Sequence, residues 1–586
     1  MTWKRHYQKD KRRTRSIDRL HILTVAFFLF VVAITYRLFD LQVLRHGFYE
    51  ALASSQHDIN SLLTPERGEI FVRDRSAQGQ LYPVGANKGL SIIYAIPKQV
   101  KDAPATAEKL ASALDIDQAE IQPRLEKSED SYEPIKRQVD DETLDKIKKL
   151  DLPGIEYSKE SVRYYPEGRY FSQLLGFVGY QGDVRAGQYG LEGYFDKELA
   201  GQPGYFKAQT DASGRWITVG DTKLEEAVNG SDLVLTIDRT VQYTVCTKVA
   251  NAVKKHGADA GSAIVMDPKT GAIIAMCGYP DFDPNKYNEV ESPSVYFNRS
   301  VYQQYEPGSV FKPITMAAAL NEGAVGPDTT FVDTGSLQVG KYTIRNADNK
   351  TYGEQNMTQV LENSINTGAI FAEQKTGNEK FSQYVEQFGF GRTTGITLSS
   401  ESGGDISSLE KNKDIYSFTG SFGQGITVTP LQLVTAYAAI ANGGKLMKPY
   451  VVDEIIKDNG YEEKTEPTVV RQVISPKTAA TLGAMLVRVV ENGHGKQAGV
   501  SGYYIAGKTG TAQIPYTDRP GYDPNRTIGT FAGFGPVEDP AFVMVVKLDV
   551  PRDVIWAESS AAPLFGDIAK FLLNYYEVPP TRTDQK

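Results

Sequence analysis

The longest apolar stretch of the chain lies close to its start. Residues 22–36 are almost wholly apolar, and Phe39 extends the stretch beyond Arg37. As a helix, residues 22–39 would span roughly 27 Å, which is close to the hydrocarbon thickness of a bilayer. Residues 1–21 are strongly basic, as is typical of the cytoplasmic flank of a membrane helix. The pattern predicts a cytoplasmic basic tail over 1–21 and one transmembrane anchor over 22–39.

A cleaved signal peptide is the competing interpretation of this stretch. Ala51-Leu52-Ala53 resembles a cleavage site, but it lies farther beyond the apolar residues than such sites normally do. We therefore expect an uncleaved, single-pass anchor in the cytoplasmic (inner) membrane, with the N-terminus in the cytoplasm. Because no second apolar span follows residue 39, the rest of the chain is expected to be extracytoplasmic.

Residues 40–227 are polar and rich in glycine-marked turns, and they predict a β-rich N-terminal domain. Ser91–Ile96 has the composition of a strand. Thr106–Leu114 and Thr143–Leu150 have the periodicity of short amphipathic helices, and the second runs up to the stop signal Pro153-Gly154. Residue spacing alone assigns no chemistry to this domain.

The pattern after residue 228 predicts a second domain. A turn at Asn229-Gly230 is followed by a strand and a helix, then by a hairpin around Pro268 and Gly271. Strands at both ends of this region, with helices between them, indicate one α+β domain over 228–578 and a tail over 579–586. The predicted strands are Leu233–Asp238, Ala263–Met266, Ala272–Met276, Thr530–Phe534 and Phe542–Leu548, and the predicted helices are Val241–Lys255, Ile314–Leu320 and Ser560–Tyr575.

Composition and charge exclude several classes of function. The 586 residues carry a formal net charge of -8, which argues against a nucleic-acid partner. No Cys/His spacing suggests zinc, and no phosphate-binding loop lies between a predicted strand and helix, so we expect no metal and no cofactor. Cys246 and Cys277 could form one bridge, but two buried thiols are the favoured interpretation.

Candidate chemistry starts at Ser309. Pro307-Gly308 is a turn signal, and the apolar segment Ile314–Leu320 predicts a buried helix. Ser309 would then cap the N-terminus of this helix, and Lys312 would share its face. A hydroxyl beside an amine is one way to activate a serine nucleophile. Taken alone, a serine three residues before a lysine is more often an ordinary cap and a solvated side chain.

Two further motifs strengthen this interpretation. Ser364-Ile365-Asn366 begins 55 residues after Ser309 (364 − 309), and Lys508-Thr509-Gly510-Thr511 begins 144 residues later (508 − 364). Singly, the first reads as a polar helix cap and the second as a turn that follows the strand-like Tyr503–Ile505. The three motifs in this order form a strong joint signal.

The motif set resembles that of β-lactamases and penicillin-binding proteins, and most of residues 20–575 resembles a class B penicillin-binding protein. Leu235-Thr236-Ile237-Asp238 is similar to the usual opening of the transpeptidase domain, and Gly190-Leu191-Glu192-Gly193 to a motif of the pedestal domain. The resemblance implies a β-rich pedestal (dimerisation-like) domain over 40–227. It also implies a penicillin-binding/β-lactamase-like transpeptidase domain over 228–578, with an antiparallel sheet flanked by helices.

One pedestal motif departs from the family pattern. The family usually keeps an Asp-Arg pair closer behind Arg67-Gly68 than Asp74-Arg75 lies here. The departure suggests a small local insertion in the pedestal and leaves the active-site motifs untouched.

The resemblance implies a D,D-transpeptidase in which Ser309 attacks the carbonyl between the last two D-alanines of a stem peptide. No histidine lies near the motifs in sequence, so a histidine triad is unsupported and Lys312 is the base by proximity. Lys508 would be a second cation that lowers the pKa of Lys312. Ser364 would relay a proton to the departing amine, and Asn366 would hold Lys312 and the substrate amide.

The same resemblance implies how substrate is bound. Thr509, Gly510 and Thr511 would lie on a strand at the cleft, where Gly510 lets an extended peptide approach the backbone. Backbone N–H groups of Ser309 and Thr511 would form the oxyanion hole. Simple alternation along a strand does not place the hydroxyl of Thr511.

The implied partners are D-Ala-D-Ala stem peptides, β-lactam antibiotics and the cytoplasmic membrane. Glu306 before Pro307 and Asn366 in the second motif resemble the division-type members more than the elongation type. A division role implies a SEDS-family glycosyltransferase and divisome membrane proteins as further partners, because residues 40–225 lack the pattern of a glycosyltransferase domain.

Three alternatives stay open at this point: an elongation-type transpeptidase, a D,D-carboxypeptidase and a non-catalytic divisome scaffold. A class A β-lactamase would need a general-base glutamate for deacylation, and no counterpart is evident in the sequence. All three catalytic motifs are intact, which weighs against a scaffold, and a failure to react with penicillin would favour one.

Overall fold

The computed structural model describes residues 19–39, 58–127, 130–181, 184–209, 223–516 and 518–582. Two compact units divide the chain: Met1–Pro65 with Gln202–Val228, and Glu66–Gly201 with Asn229–Lys586. Most of the predicted basic tail, the proposed cleavage tripeptide and the last four residues lie outside the described part.

The first unit contains a helix and a small sheet. The helix, Arg19–Phe39, includes the residues predicted to be helical from their apolar pattern. Asp58–Leu63 pairs antiparallel with Gly204–Gln209, which in turn pairs antiparallel with Lys223–Glu225. Among the described residues, no helix is both long enough and apolar enough to cross a membrane.

The second unit contains a seven-stranded sheet that joins segments distant in sequence. Asp232–Asp238, the predicted opening strand of the second domain, lies parallel to Ile70–Asp74 and antiparallel to Val452–Ile456. Gln80–Ala95 is longer than its predicted part, Ser91–Ile96, because Ile155–Tyr164 pairs along it. The strands follow the order Glu462–Lys464, Val452–Ile456, Asp232–Asp238, Ile70–Asp74, Gln80–Ala95 and Glu133–Val139, with Ile155–Tyr164 as a second partner of Gln80–Ala95.

The two predicted amphipathic helices are present and begin earlier than their apolar positions indicated. Ala103–Leu114 starts after Asp102, whose carboxylate accepts a hydrogen bond from the Ala105 N–H. Asp141–Lys149 starts after Asp140, which caps it through the Thr143 N–H. Acidic N-cap residues satisfy the first N–H groups of a helix, so the caps set these boundaries.

A buried carboxylate holds the region around Arg67 together. Glu192 is fully buried and contacts Arg67 at 2.6 Å and Arg163 at 2.6 Å. The Tyr165 hydroxyl donates to the same carboxylate at 3.1 Å. Burial alone would raise the pKa of Glu192, but the two guanidinium groups hold it below its usual value. The charge of Glu192 is therefore compensated without water.

The predicted sheet with C-terminal strands is confirmed as a five-stranded antiparallel sheet. Its strands follow the order Ile273–Tyr279, Ala260–Met266, Phe542–Asp549, Tyr522–Gly535 and Ala506–Pro515. Phe542, Met544 and Val546 pack into one apolar cluster, whereas Val543 and Val545 pack into the other. Alternate residues of a strand point to opposite faces, so this strand is buried on both sides.

Helices cover both faces of this sheet. Arg239–Lys255 and Ala561–Tyr575 pack in one cluster, while Lys312–Asn321, Pro430–Ala441 and Pro476–Asn492 pack in the other. The remaining α-helices of the described residues are Gln118–Leu125, Ser172–Leu175, Gly190–Tyr194, Asp196–Ala200, Arg299–Tyr302, Met357–Glu362, Asn366–Thr376, Asn378–Gln387, Ser407–Glu410 and Asp414–Gly420. The remaining strands are Phe177–Gln181, Val184–Gln188, Thr330–Asp333, Ser336–Val339, Tyr342–Arg345, Gly353–Asn356, Lys445–Met447 and Val469–Gln472.

The two cysteines form a disulfide, so the preference for two buried thiols is wrong. The Cys246 and Cys277 sulfurs are 2.02 Å apart. Cys246 lies on helix Arg239–Lys255 and Cys277 on strand Ile273–Tyr279, two elements that pack against each other. Because the pairing depends on how this helix packs on this strand, the number and spacing of the cysteines did not reveal it.

Candidate active site

Ser309 lies in a short 3-10 turn, Gly308–Phe311, that leads directly into helix Lys312–Asn321. The prediction that Ser309 caps this helix is wrong, because Phe311 occupies the N-cap position of the helix and Pro307 that of the turn, and no side chain caps either. Its hydroxyl therefore makes no capping hydrogen bond. Ser309 instead lines two adjoining cavities, of about 300 Å³ and about 820 Å³.

The turn around Ser309 packs closely against two glycines. The Gly308 N–H donates to the Gly423 carbonyl at 3.0 Å. A Cβ at Gly423 would lie 2.3 Å from the Gly308 oxygen, and one at Gly510 would lie 2.9 Å from the Pro307 oxygen. Gly510 thus lets the strand approach the Ser309 turn, which differs from the predicted reason, an approach by the substrate.

Lys312 is buried beside Ser364. Its side chain is only 1% exposed, and its Nζ donates to the Ser364 carbonyl oxygen and, at 3.2 Å, to the Ser364 Oγ. Burial and the nearby Lys508 cation lower the pKa of Lys312 well below its usual value, while Asp348 opposes the shift. A lowered pKa makes the neutral amine, which can accept a proton, easier to form.

Lys508 approaches Ser364 from strand Ala506–Pro515. Its Nζ lies 3.0 Å from the Ser364 Oγ and 3.1 Å from the Thr509 carbonyl oxygen. Burial lowers the pKa of Lys508 to about 7, and Glu558 opposes this shift. The hydroxyl oxygen of Ser364 therefore accepts hydrogen bonds from both lysines, so its own proton is directed elsewhere.

The backbone of Ser364 is held in a left-handed conformation, with φ 55°. This conformation costs a residue with a side chain about 1–2 kcal/mol, and such positions often occur at functional sites. The bond from Lys312 to the Ser364 carbonyl is one contact that holds it there.

Lys508, Thr509, Gly510 and Thr511 all belong to strand Ala506–Pro515, the outer strand of the five-stranded sheet. The motif is therefore part of the strand and not a turn after Tyr503–Ile505. Thr509 and Thr511 line the smaller cavity together with Ser309. The Thr511 Oγ1, which alternation could not place, accepts a hydrogen bond from the Ala557 N–H at 3.0 Å.

Asn366 lies at the start of helix Asn366–Thr376 and lines the larger cavity. Its side-chain amide donates to the Arg345 carbonyl at 2.9 Å. Among the described residues no hydrogen bond joins Asn366 to Lys312, so the contact that the resemblance implied is not present. Its position still allows a polar contact with a ligand in the larger cavity.

Several residues of the site had no signal in the sequence. Asp348, His494, Trp556 and Glu558 line the smaller cavity. His494 Nδ1 lies 2.6 Å from a Glu558 oxygen. A histidine that is distant from the motifs in sequence therefore lies at the cavity. Among the described residues, however, no hydrogen bond joins His494 to the nucleophile.

Glu306 connects the Ser309 turn to strand Tyr522–Gly535. The Gly425 N–H donates to Glu306 Oε1 at 3.0 Å, and the Tyr522 hydroxyl donates to Oε2 at 3.0 Å. Burial raises the pKa of Glu306, and these hydrogen bonds oppose the shift. Tyr522 also lines the larger cavity, so this carboxylate supports one of its walls.

Comparison with known proteins agrees with this geometry. The family model for the penicillin-binding protein transpeptidase domain matches residues 261–570, and the model for the penicillin-binding protein dimerisation domain matches residues 62–235. Stage V sporulation protein D of Bacillus subtilis is 35% identical over 570 residues, covering 96% of this chain and 86% of that protein. The peptidoglycan D,D-transpeptidase FtsI of Escherichia coli is 31% identical and covers 87% of this chain and 84% of its own.

A solved structure shows the same fold. Penicillin binding protein 3 of Mycobacterium tuberculosis, complexed with aztreonam, superposes with a TM-score of 0.69 at 26% identity, covering 89% of this chain and 98% of its own. The fold and the site define a serine acyltransferase of the penicillin-binding protein family. Within that family the chain belongs to the class B penicillin-binding proteins, which are peptidoglycan D,D-transpeptidases.

Proposed function

We propose that this chain cross-links peptidoglycan stem peptides through an acyl-enzyme on Ser309 and that β-lactams acylate the same serine. The observation that carries this proposal is the Ser364 hydroxyl held between Lys312 and Lys508 at the wall of the cavity that contains Ser309. Two buried amines of lowered pKa and a bridging hydroxyl can move a proton to and from a serine nucleophile.

The reaction has two halves. Lys312 takes the proton of Ser309 as its oxygen attacks the carbonyl carbon of the penultimate D-alanine. The C–N bond breaks, and the departing D-alanine amine receives a proton through Ser364. An amine of a second stem peptide then attacks the ester carbonyl, and its proton returns to the Ser309 oxygen as the ester bond breaks. Backbone N–H groups of Ser309 and Thr511 stabilise the oxyanion.

The two cavities support a placement for the donor stem peptide. The donor peptide extends along strand Ala506–Pro515 in the larger cavity, where Asn366 binds an amide of the donor. Its terminal carboxylate lies in the smaller cavity near Lys508, Thr509 and Thr511, whose hydroxyl groups and cation suit an anion. The oxygen of the acyl group faces the oxyanion N–H groups.

Labelling with a fluorescent penicillin tests the function. Wild-type protein should be labelled covalently, whereas Ser309→Ala should retain its thermal midpoint and lose the label. Ser158→Ala, a change at an exposed serine of the N-terminal domain, serves as the matched control and should label as wild type. Undiminished labelling of Ser309→Ala would overturn the assignment, and unlabelled wild-type protein would favour a scaffold.

We further propose that helix Arg19–Phe39 anchors the chain in the cytoplasmic membrane, with the catalytic region outside. The helix carries exposed apolar side chains such as Phe27 and Phe30, and basic residues precede it in the sequence. The Cys246–Cys277 disulfide also fits an extracytoplasmic compartment, because reducing conditions disfavour structural disulfides. Deletion of residues 1–39 should move the protein from the membrane fraction to the soluble fraction.

A division role is the proposed cellular function, with septal peptidoglycan as the product. Glu306 and Asn366 resemble the division-type motifs, and this resemblance supports the proposal. Two relatives are named FtsI and Stage V sporulation protein D, and the second name refers to sporulation. A SEDS-family glycosyltransferase and divisome membrane proteins are the proposed partners. Depletion should produce filamentous cells; rounded cells would support the elongation alternative instead.

A further inference from the structure

The helix that follows Ser364 begins without a cap of its own. Helix Asn366–Thr376 has Ile365 at its N-cap position, and no side chain within the segment caps it. The first N–H groups of a helix have no intrahelical acceptor, and polar residues normally satisfy them. An isoleucine offers no such acceptor, so the start of this helix depends on another part of the chain.

Asn346 supplies the missing cap from a distant loop. Its Oδ1 accepts the Asn366 N–H at 3.0 Å and the Thr367 N–H at 3.3 Å. Asn346 follows strand Tyr342–Arg345 and is only 3% exposed. The preceding carbonyl, that of Arg345, accepts the side-chain amide of Asn366. Arg345 and Asn346 therefore both hold Asn366, which lies two positions after Ser364.

Asp333 fixes which way the Asn346 amide points. The Asn346 Nδ2 donates to Asp333 Oδ2 at 2.9 Å and to the Lys350 carbonyl at 2.9 Å. With the NH2 group so engaged, the oxygen must face the helix. Asp333 also accepts the Thr367 hydroxyl at 2.6 Å and the Tyr352 N–H at 2.7 Å. The bonds to Asp333 thus hold the carboxylate that orients the Asn346 amide.

The cap that Asn346 supplies helps to hold Ser364 in position. Ser364 has a left-handed backbone, and its hydroxyl lies between Lys312 and Lys508. On one side Lys312 holds its carbonyl; on the other, the capped helix fixes the chain direction after Ile365. Strained conformations persist only where the surrounding contacts over-determine them.

We propose that Asn346, oriented by Asp333, is a positioning residue for the acyl-transfer reaction, acting through the helix cap to hold the Ser364 hydroxyl between the two lysines. The inference rests on the proposed function. Asn346 lines the larger cavity, but among the described residues it makes no hydrogen bond to Ser309, Lys312, Ser364 or Lys508. Without its cap the helix start would shift and Ser364 would leave the geometry that transfers the proton.

The test compares acylation by a fluorescent penicillin with thermal stability in the full chain. Asn346→Ala should slow acylation about 100-fold, because small misplacements of a catalytic group have effects of that size. Asn356→Ala is the matched control: Asn356 caps the neighbouring helix Met357–Glu362 and lies outside the two cavities. Both variants should lower the melting temperature, but only the first should slow acylation.

A rescue experiment separates positioning from simple stability. Asn346→Asp keeps the acceptor but sets a carboxylate against Asp333, so it should acylate slowly. Adding Asp333→Asn removes the repulsion, because an amide again faces a carboxylate, so acylation should be faster than in Asn346→Asp alone. It should stay below the wild-type rate, because the exchange costs the hydrogen bonds to the Lys350 carbonyl and from the Tyr352 N–H. If Asn346→Ala fails to fold, the comparison of Asn346→Asp with the double variant still tests the positioning role.

The outcomes are distinct. If Asn346→Ala acylates like Asn356→Ala, or if the exchanged pair is no faster than Asn346→Asp, the positioning role of Asn346 is overturned while the proposed function stands. If the wild-type chain is not acylated although Ser309 is intact, the proposed function falls and this inference falls with it.

Discussion

At the scale of residues, the site depends on lowering the pKa of two buried lysines. Lys312 and Lys508 are buried to 1% and 0% exposure, and each has a lowered pKa. A lysine in water has a pKa of about 10.4 and would be protonated at neutral pH. Burial thus converts a common cation into a base, and the second lysine reinforces the effect on the first.

The pH dependence of acylation should report this change. The rate should rise as Lys312 loses its proton. It should level off well below about pH 10.4, the pH at which an ordinary lysine titrates. Lys508→Met removes the second cation, so the pKa of Lys312 should rise and the midpoint should move to higher pH. Stopped-flow acylation across pH measures both, and an unmoved midpoint would contradict the coupling.

At the scale of elements, the strand pair Ala506–Pro515 and Tyr522–Gly535 is joined to the nucleophile turn by one carboxylate. Glu306 receives hydrogen bonds from Gly425 and Tyr522 and is mostly buried. Since Tyr522 lines the larger cavity, the orientation of that wall depends on this link.

Tyr522→Phe should therefore weaken the wall of the larger cavity, because the mutant loses the hydrogen bond to Glu306. A buried carboxylate that loses one donor destabilises the fold by about 1–3 kcal/mol, and acylation by penicillins with large side chains should slow more than acylation by small ones. Urea denaturation and labelling rates measure the two effects. Tyr516→Phe, in the same hairpin, is the control, and equal effects of the two changes would refute the role of the Glu306 contact.

The disulfide is a second feature of this scale. Cys246 and Cys277 are separated by 31 positions and connect helix Arg239–Lys255 to strand Ile273–Tyr279. Closing a loop of this length lowers the entropy of the unfolded chain.

Replacing both cysteines by serine should lower the free energy of unfolding by about 3–4 kcal/mol. Ser309 lies on the opposite face of the sheet, so the folded variant should still acylate at the wild-type rate. Chemical denaturation with and without a reductant checks the first part. An unchanged midpoint on reduction of the wild type would contradict it.

At the scale of the whole molecule, the seven-stranded sheet joins residues before Gly201 to the region that carries the site. Glu192, paired with Arg67 and Arg163, is the most deeply buried charged residue of Glu66–Gly201. Its role is structural, because none of these three residues lines the cavities of Ser309.

Glu192→Ala should take a shared carboxylate away from two buried guanidinium groups and destabilise the fold by about 3–5 kcal/mol. Arg67 would keep its pair with Asp196, while Arg163 would keep only neutral acceptors, the Gly68 carbonyl and the Asn87 side chain. Glu160→Ala breaks the more exposed pairs with Arg137 and Arg185 and should cost at most about 1 kcal/mol. Differential scanning calorimetry compares the two, and the acylation rate of the folded fraction should be unchanged in both. Equal losses would show that Glu192 is not the stabilising charge.

Much of this protein could be predicted from local patterns. Strand Asp232–Asp238, helix Arg239–Lys255 and the hairpin Ala260–Met266 with Ile273–Tyr279 matched the alternation and turn signals within a few residues. The strand implied at Lys508–Thr511 is confirmed. Errors occurred where distant residues set the outcome: the cap role given to Ser309 and the two thiols expected at Cys246 and Cys277. In each case packing against another element overrode the local preference.

The sequence by itself determined the class of chemistry, because three short motifs of fixed composition can be recognised without knowing how they meet. It also determined the strongly periodic elements, since their patterns depend on neighbours a few positions away. Only the tertiary structure decided that Ser364 lies between two lysines, that Cys246 bonds to Cys277 and that Asn346 caps a helix twenty residues later. Such contacts join residues far apart along the chain, and their geometry exists only once the elements have packed.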